Sequence, residues 1–313
     1  MSDAHFDKVA IIGIGLLGSS IAHAINVYGG AASVELWDAS EDVRARAANV
    51  VPGSIVATAR DAVTDADCVI LCTPVGSLSS VTDLIAPDLR AGAILTDVGS
   101  VKAKAAQDMA KTCPDGVHLI PGHPIAGTEK SGPEAGFASL FQDAWHILTP
   151  LDSSDPAYQG AVDRLTAFWR QLGARVETMD PLRHDRVLAI TSHLPHLIAY
   201  NIVSTAYDME SVEEGEVVKY SAGGFRDFTR IAASDPTMWR DVFLTNKDAV
   251  LETLGRFSED LAALQRAIRW GDGETLMREF TRARGIREAI IDAGLDTAEA
   301  DFGRRQIDPT SES

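Results

Sequence analysis

A histidine flanked by glycine and proline sits at the polar end of a short apolar run, in Gly122-His123-Pro124-Ile125-Ala126-Gly127-Thr128-Glu129. An imidazole titrates near neutral pH, so such a residue can take a substrate proton as a general base. A surface loop histidine would carry the same flanks. Ser100 ends a neighbouring apolar run, in Asp97-Val98-Gly99-Ser100-Val101-Lys102. Its hydroxyl could hydrogen-bond the imidazole or cap the next helix. The segment Ser192-His193-Leu194-Pro195-His196 sets two histidines three residues apart on one helix face. No H-E-x-x-H pattern or obvious third ligand accompanies them, so no metal is expected. Arg226 and Arg230 follow a glycine pair in Gly223-Gly224-Phe225-Arg226-Asp227-Phe228-Thr229-Arg230, with Trp239 and Arg240 just beyond. An arginine fork binds carboxylates. In a chain of net charge −17, arginines grouped with histidines read as a local anion site. The competing reading is a solvated helix face paired to Asp227 and Asp235.

These residues need elements that bring them together. Val9 to Ile12 reads as a buried strand that runs into Gly13-Ile14-Gly15-Leu16-Leu17-Gly18. In a G-x-G-x-x-G turn the first glycine permits the tight bend, the second admits a pyrophosphate, and the third lets helix and strand pack closely. The free N–H groups at the helix start, from Leu16 and Leu17 onward, favour an anion. Val34 to Asp38 reads as a second strand, and Asp38 stands where an acid receives the adenine ribose hydroxyls. A carboxylate there repels a 2′-phosphate and favours NAD over NADP. Arg44 and Arg46, in the next helix, keep NADP as the lesser alternative.

Further strands are expected at 67–74, 93–100, 118–124, 145–149 and 174–179, alternating with helices at 41–49, 78–85, 102–111 and 157–172. A short helical or turn segment is expected at 61–66. Alternation predicts a mostly parallel, doubly wound sheet. Ligands then bind beyond the carboxyl ends of its strands, where Thr73-Pro74, Gly99-Ser100 and His123-Pro124 all fall.

From Asp180-Pro181 onward the periodicity is helical. The reading is therefore an α/β domain over 1–180 and an all-helical domain over 181–313. A long helix is expected from Leu182 to Tyr207, bent by Pro195. A second long helix starts at Ser234-Asp235-Pro236, and a third spans Glu274 to Ala293. Val250, Leu254, Phe257, Leu261, Leu264 and Ile268 repeat in steps of four and three. That seam suits packing within one subunit or a dimer interface. The tail Asp308–Ser313 is polar and expected to fray.

Composition narrows the function classes. At 45% hydrophobic and 23% charged residues, the chain can build a sizeable core. Its acidic balance makes nucleic acid and anionic membranes poor partners. Three cysteines, Cys68, Cys72 and Cys113, form no CxxC and suit a reducing cytoplasm. No signal peptide or membrane span is expected.

Taken together, these motifs resemble the prephenate/arogenate (cyclohexadienyl) dehydrogenases of tyrosine biosynthesis. The resemblance covers nearly the whole chain, and the His123, Ser192–His196 and Phe225–Arg230 segments with Ser234-Asp235-Pro236 are more specific than the glycine turn. It implies a Rossmann-type domain followed by an all-α dimerisation and substrate domain, with NAD as cofactor and a homodimer in the cytoplasm. It implies oxidative decarboxylation of a cyclohexadiene. His123 would take the C4 hydroxyl proton as hydride leaves C4 for the nicotinamide, and CO₂ would leave C1. Ser100 would orient His123 beside the nicotinamide. Arg230 would anchor a substrate carboxylate and His196 would hydrogen-bond substrate. His193, Glu129 and Trp239 would shape or gate the pocket. Arg226, near the substrate side chain, favours prephenate with arogenate also used. With no mutase stretch before the first strand and about twenty residues after the last helix, a monofunctional enzyme without a regulatory ACT-type domain is expected. The alternatives are a β-hydroxyacid dehydrogenase or imine reductase, and a non-catalytic NAD-binding protein.

Overall fold

The computed structural model describes residues 4–210 and 223–292. Residues up to Thr253 form one compact unit and those from Leu254 a second. The polar tail lies outside the described residues.

The first unit is built on a parallel sheet of six strands: β1 (Phe6–Ile12), β2 (Ala31–Trp37), β3 (Ser54–Ile55), β4 (Cys68–Leu71), β5 (Ile94–Asp97) and β6 (His118–Leu119). Their order is β3-β2-β1-β4-β5-β6, the doubly wound arrangement that the alternation predicts. Val9 and Ile11 point to one face, with Phe6, Ile21, Phe168 and Trp169; Ala10 and Ile12 point to the other, with Val69, Leu71, Leu95 and Met109. Burial on both faces explains why β1 reads as an unbroken apolar run. Helices α1 (Leu16–Tyr28), α2 (Glu41–Ala47), α3 (Ala59–Val63), α4 (Leu78–Ile85), α5 (Ala103–Met109) and α6 (Tyr158–Gln171) complete this half.

Two features depart from the expected strands. The run 118–124 is two strands, because β6 ends at Leu119 and β7 (Gly122–Pro124) starts a second sheet. The division falls at Ile120-Pro121, and Pro121 has no N–H to continue a ladder. In that second sheet, ordered β7-β8-β9, β8 (Trp145–Leu148) runs antiparallel to β7 and parallel to β9 (Arg175–Thr178). His123 therefore leaves the main sheet and belongs to a neighbouring one, opposite Ile147 of β8. The other departure is β3, only two residues long and too short to announce itself by periodicity.

After β9 the chain is helical among the described residues. The expected long helix is α7 (Pro181–Leu188), a π-helical turn (Ala189–His193) and α8 (Leu194–Glu210). The irregularity lies in the turn before Pro195, whose missing N–H leaves the ladder open there. By length and composition Pro181–Met209 could cross a membrane, which the sequence reading did not anticipate. His184, Asp185 and His193 on it are buried, while Leu182, Ile190, Tyr207 and Met209 are exposed.

The helix expected from Pro236 onward is also two: α10 (Pro236–Thr245) follows α9 (Gly223–Thr229), and α11 (Lys247–Trp270) starts after Asn246. Asn246 is buried and its amide is bound to residues of α7 and the π turn, which fixes the break. The last helix, α12, spans Gly273–Asp292. Along the expected seam Val250 is buried, while Leu261 and Ile268 stay exposed, as do Met277, Phe280 and Ile286 on α12.

Candidate active site

The glycine turn is closed by its own packing. Gly13 holds φ +102°, and a Cβ there would stand 2.5 Å from the Cys72 carbonyl oxygen. A Cβ on Gly18 would stand 2.0 Å from the Gly13 carbonyl oxygen. Gly15 differs, because a Cβ there would meet nothing within 4 Å. Gly15, Leu16 and Leu17 are the partly exposed residues of an otherwise buried stretch. No side chain caps α1 and no acid lies in its first turn, so its N–H groups remain for an anion. Thr73 packs its methyl group near Gly13, and its buried hydroxyl has no partner among the described residues. Pro74 beside it is exposed.

Asp38 follows β2. Its carboxylate accepts the N–H of Ile14 at 2.9 Å and that of Ser40 at 2.9 Å, which ties the end of β2 to the glycine turn. Carboxylate oxygens have further lone pairs for ribose hydroxyls. The two arginines that kept NADP open both have partners within the protein, Arg46 away from Asp38 and Arg44 on the main chain of Asp38 itself. Arg46 makes a bidentate pair with Glu134 (2.7 and 2.7 Å) and also binds Asp42, while Arg44 donates to the Asp38 and Ala39 carbonyls. The open space at Gly15, the uncapped helix and the unpartnered Thr73 hydroxyl all fit a dinucleotide.

His123 is buried on β7. Its Nδ1 lies 2.9 Å from Nε2 of His184, and Nδ1 of His184 lies 2.8 Å from Oδ1 of Asp185. Ser100 is not its partner. Among the described residues no hydrogen bond joins Ser100 to His123, and the serine does not cap α5 either. The N–H groups of Lys102 and Ala103 at the start of α5 are instead accepted by Asp185, at 2.8 and 2.9 Å. Ser100 is half-buried, with its main chain beside His193. Burial is the main force holding the His123 pKa well below the ordinary histidine value, and His184, Lys102, His146 and His193 push the same way. At neutral pH the imidazole is uncharged, the state a proton acceptor requires.

Lys102 anchors this region. It is fully buried, its ammonium group pairs with Asp97 at the end of β5, and it donates to the Gly122 carbonyl at 2.6 Å. Asp97 also accepts the N–H groups of Gly99 and Gly122. One buried ion pair thus joins the strand end before Ser100 to the strand that carries His123. A buried lysine survives only with such a partner, and losing either member would leave an uncompensated charge.

The helical residues converge on Trp239. His196 stacks on its ring at a centroid distance of 3.7 Å, and His193 meets its edge at 6.1 Å. His196 donates from Nδ1 to the Ser192 carbonyl at 2.9 Å, which leaves Nε2 as an acceptor. Nδ1 of His193 receives the Asn246 amide at 3.1 Å, so Nε2 carries the proton, with the Ser100 main chain close by. Burial pushes the His193 pKa down to about 4. The Trp239 indole N–H is buried and has no partner among the described residues. Arg230 bonds Glu129 at 3.0 Å and is close enough to His196 to lower its pKa, burial being the larger cause. Arg226 is exposed on α9, four residues ahead of Arg230. His184, Asp185, Asn246 and Lys102 are the residues that motif reading passed over. No local spacing marks them, because the partners that draw them into the interior lie far away in sequence.

A cradle shaped for a dinucleotide pyrophosphate at the end of β1, and a buried neutral base on a strand tied by Lys102 to the end of β5 in the same sheet, make the arrangement of a pyridine-nucleotide oxidoreductase. Residues 21–178 match the family profile "Prephenate dehydrogenase, nucleotide-binding domain", and residues 180–282 match "Prephenate dehydrogenase, dimerization domain". A cyclohexadienyl dehydrogenase of Zymomonas mobilis is 42% identical over 91% of this chain and 96% of its own length. A prephenate dehydrogenase of Bacillus subtilis is 33% identical over 91% of this chain and 76% of its own. The crystal structure of prephenate dehydrogenase from Aquifex aeolicus, in complex with hydroxyphenyl propionate and NAD+, superposes with a TM-score of 0.82 at 33% identity, over 93% of this chain and 99% of that one. The chain belongs to the prephenate dehydrogenase family.

Proposed function

We propose that this protein carries out the NAD-dependent oxidative decarboxylation of prephenate, and of arogenate as a second substrate, in tyrosine biosynthesis. The observation that carries this reading is the buried, uncharged His123 on the strand that Lys102 ties to the end of β5 in the nucleotide-binding sheet, with His193 and His196 against Trp239 and Arg230 close to His196. Residues 1–180 bind the nucleotide; 181 onward supply the rest of the substrate site and, through the exposed apolar residues of α11 and α12, a homodimer working in the cytoplasm.

Gly13, Gly15, Leu16, Leu17 and Gly18 receive the pyrophosphate, Asp38 the ribose, and Thr73, Pro74 and Ser100 line the path to the nicotinamide. NAD, when bound, accepts the hydride from C4 of the ring. His123 takes the C4 hydroxyl proton on Nε2 as that hydride leaves. Arg230 holds the ring carboxylate until the C1–CO₂ bond breaks, when its electron pair enters the ring and aromatises it. The phenolic oxygen then takes the proton back from His123, so the reaction releases CO₂ and NADH with no net proton. His196 hydrogen-bonds substrate through Nε2. Glu129 screens Arg230 until a carboxylate arrives, and His193 and Trp239 shape the pocket wall. Arg226 favours the anionic pyruvyl side chain of prephenate over the zwitterionic one of arogenate.

The direct test is NADH formation by the purified protein with each acid. Turnover of both, with kcat/KM higher for prephenate, is the expected result; turnover of neither would overturn the reading. Asp38 has its own test. Asp38→Asn keeps a carbonyl acceptor for Ile14 and removes the charge. The ratio of kcat/KM for NAD over NADP is expected to fall by roughly tenfold or more, as repulsion of the 2′-phosphate is lost. An unaltered ratio would separate Asp38 from the ribose.

A further inference from the structure

Hydrogen-bond roles along the line His123–His184–Asp185 are forced by chemistry. An ionised carboxylate only accepts, so Nδ1 of His184 must carry the proton it shares with Asp185 at 2.8 Å. A neutral His184 then offers Nε2 as an acceptor. The 2.9 Å contact requires Nδ1 of His123 to be the donor, which leaves Nε2 of His123 with the lone pair. The rings meet edge to face, with 67° between planes and 5.1 Å between centroids, so the line is set by packing as well as polarity. His184 is fully buried, and Asp185 is clamped by the N–H groups of Lys102 and Ala103. Asn246 holds the Asp185 carbonyl at 2.9 Å. The line cannot relax into solvent.

We infer that His184 and Asp185 are positioning residues for the base: they fix the tautomer of His123 that presents Nε2 to substrate, and they stabilise its imidazolium until the proton is returned. This rests on the reading of His123 as the base. The charged groups around it leave the work to Asp185. Lys102 is neutralised by Asp97, and His146, stacked 3.8 Å over Trp169, is buried with neither ring nitrogen bonded among the described residues. His193 is also buried. Burial holds all three histidines, 146, 184 and 193, below their ordinary pKa, so none adds a standing positive charge at neutral pH. When His123 gains a proton, the new charge is one ring away from the Asp185 carboxylate. The overall reaction gives that proton back to the phenolic oxygen. A carboxylate that stabilises the imidazolium without taking its proton suits that need, as in the Ser-His-Asp triad.

The experiment compares His184→Leu, His184→Gln and Asp185→Asn with wild type, with NAD binding followed by tryptophan fluorescence as the check on folding. His184→Leu is expected to lower kcat about 10–100-fold with KM for both substrates within about threefold. His184→Gln keeps an acceptor for His123 and is expected to recover part of that loss. Asp185→Asn removes the charge that favours the imidazolium. The pKa of His123 then falls, so the acidic limb of log kcat moves to lower pH while the plateau drops. A merely structural role would not move that limb, and the limb decides the matter if His184→Leu fails to fold. Wild-type kcat in His184→Leu, or an unmoved limb in Asp185→Asn, overturns the inference. If His123→Asn itself keeps turnover, the base reading has failed; if it is inactive while the His184 and Asp185 variants match wild type, only the positioning role has.

Discussion

His123→Asn is expected to lower kcat by about 10²–10⁴-fold while NAD affinity stays at the wild-type value. Asparagine has a similar size and can still donate to Nε2 of His184, so β7 and its pairing with β8 should survive. What disappears is a group able to accept the hydroxyl proton as hydride departs. The wild-type pH profile follows from the burial of the base. A rate that needs neutral His123 rises with pH through the His123 pKa and is flat above it. Because burial above all holds that pKa well below the ordinary value, the rising limb belongs to acid solution and neutral pH lies on the plateau. The variant should lack that limb. Stopped-flow or steady-state NADH formation across pH, with NAD binding measured in parallel, checks both points. Turnover close to wild type would remove His123 as the base.

Much of this architecture was legible because it depends on local chemistry. The glycine turn could be read from spacing, and the structure shows why substitution fails there: a side chain at Gly13 or Gly18 would strike backbone. The convergence of His193, His196 and Trp239 could not be read from spacing, since more than forty residues and several helices intervene. The same holds for His184 and Asp185, which follow Pro181 in the first turns of α7 and look like a solvated helix start. Their burial depends on α5, whose first N–H groups need an acceptor and find none locally. Ser100 illustrates the opposite error. A serine two residues before an apparent helix suggested a cap, yet the partner came from eighty residues downstream. Local rules rank candidates for an orphaned donor, and tertiary packing chooses among them.

The second large effect is expected at Arg230. Arg230→Gln should raise KM for prephenate by roughly 30-fold, about 2 kcal/mol, with a smaller change in kcat. The lower end of the range for a charge-assisted pair applies because Arg230 is partly exposed, so water screens part of the attraction. The variant also changes what Glu129 does. In the wild type the Arg230–Glu129 pair at 3.0 Å keeps the two charges matched, and an arriving carboxylate competes with Glu129 for the guanidinium. With glutamine at 230, the Glu129 carboxylate loses its bond to the guanidinium and stays close to the arriving substrate carboxylate, and part of the KM rise is repulsion rather than lost attraction. Adding Glu129→Gln to Arg230→Gln should therefore recover some affinity, whereas Glu129→Gln alone should lower KM or leave it unchanged. The double-mutant cycle separates the two contributions. An unchanged KM in Arg230→Gln would place the carboxylate anchor elsewhere. A double variant no better than the single one would remove Glu129 from the competition and leave it as a structural partner of the helix that carries Arg230.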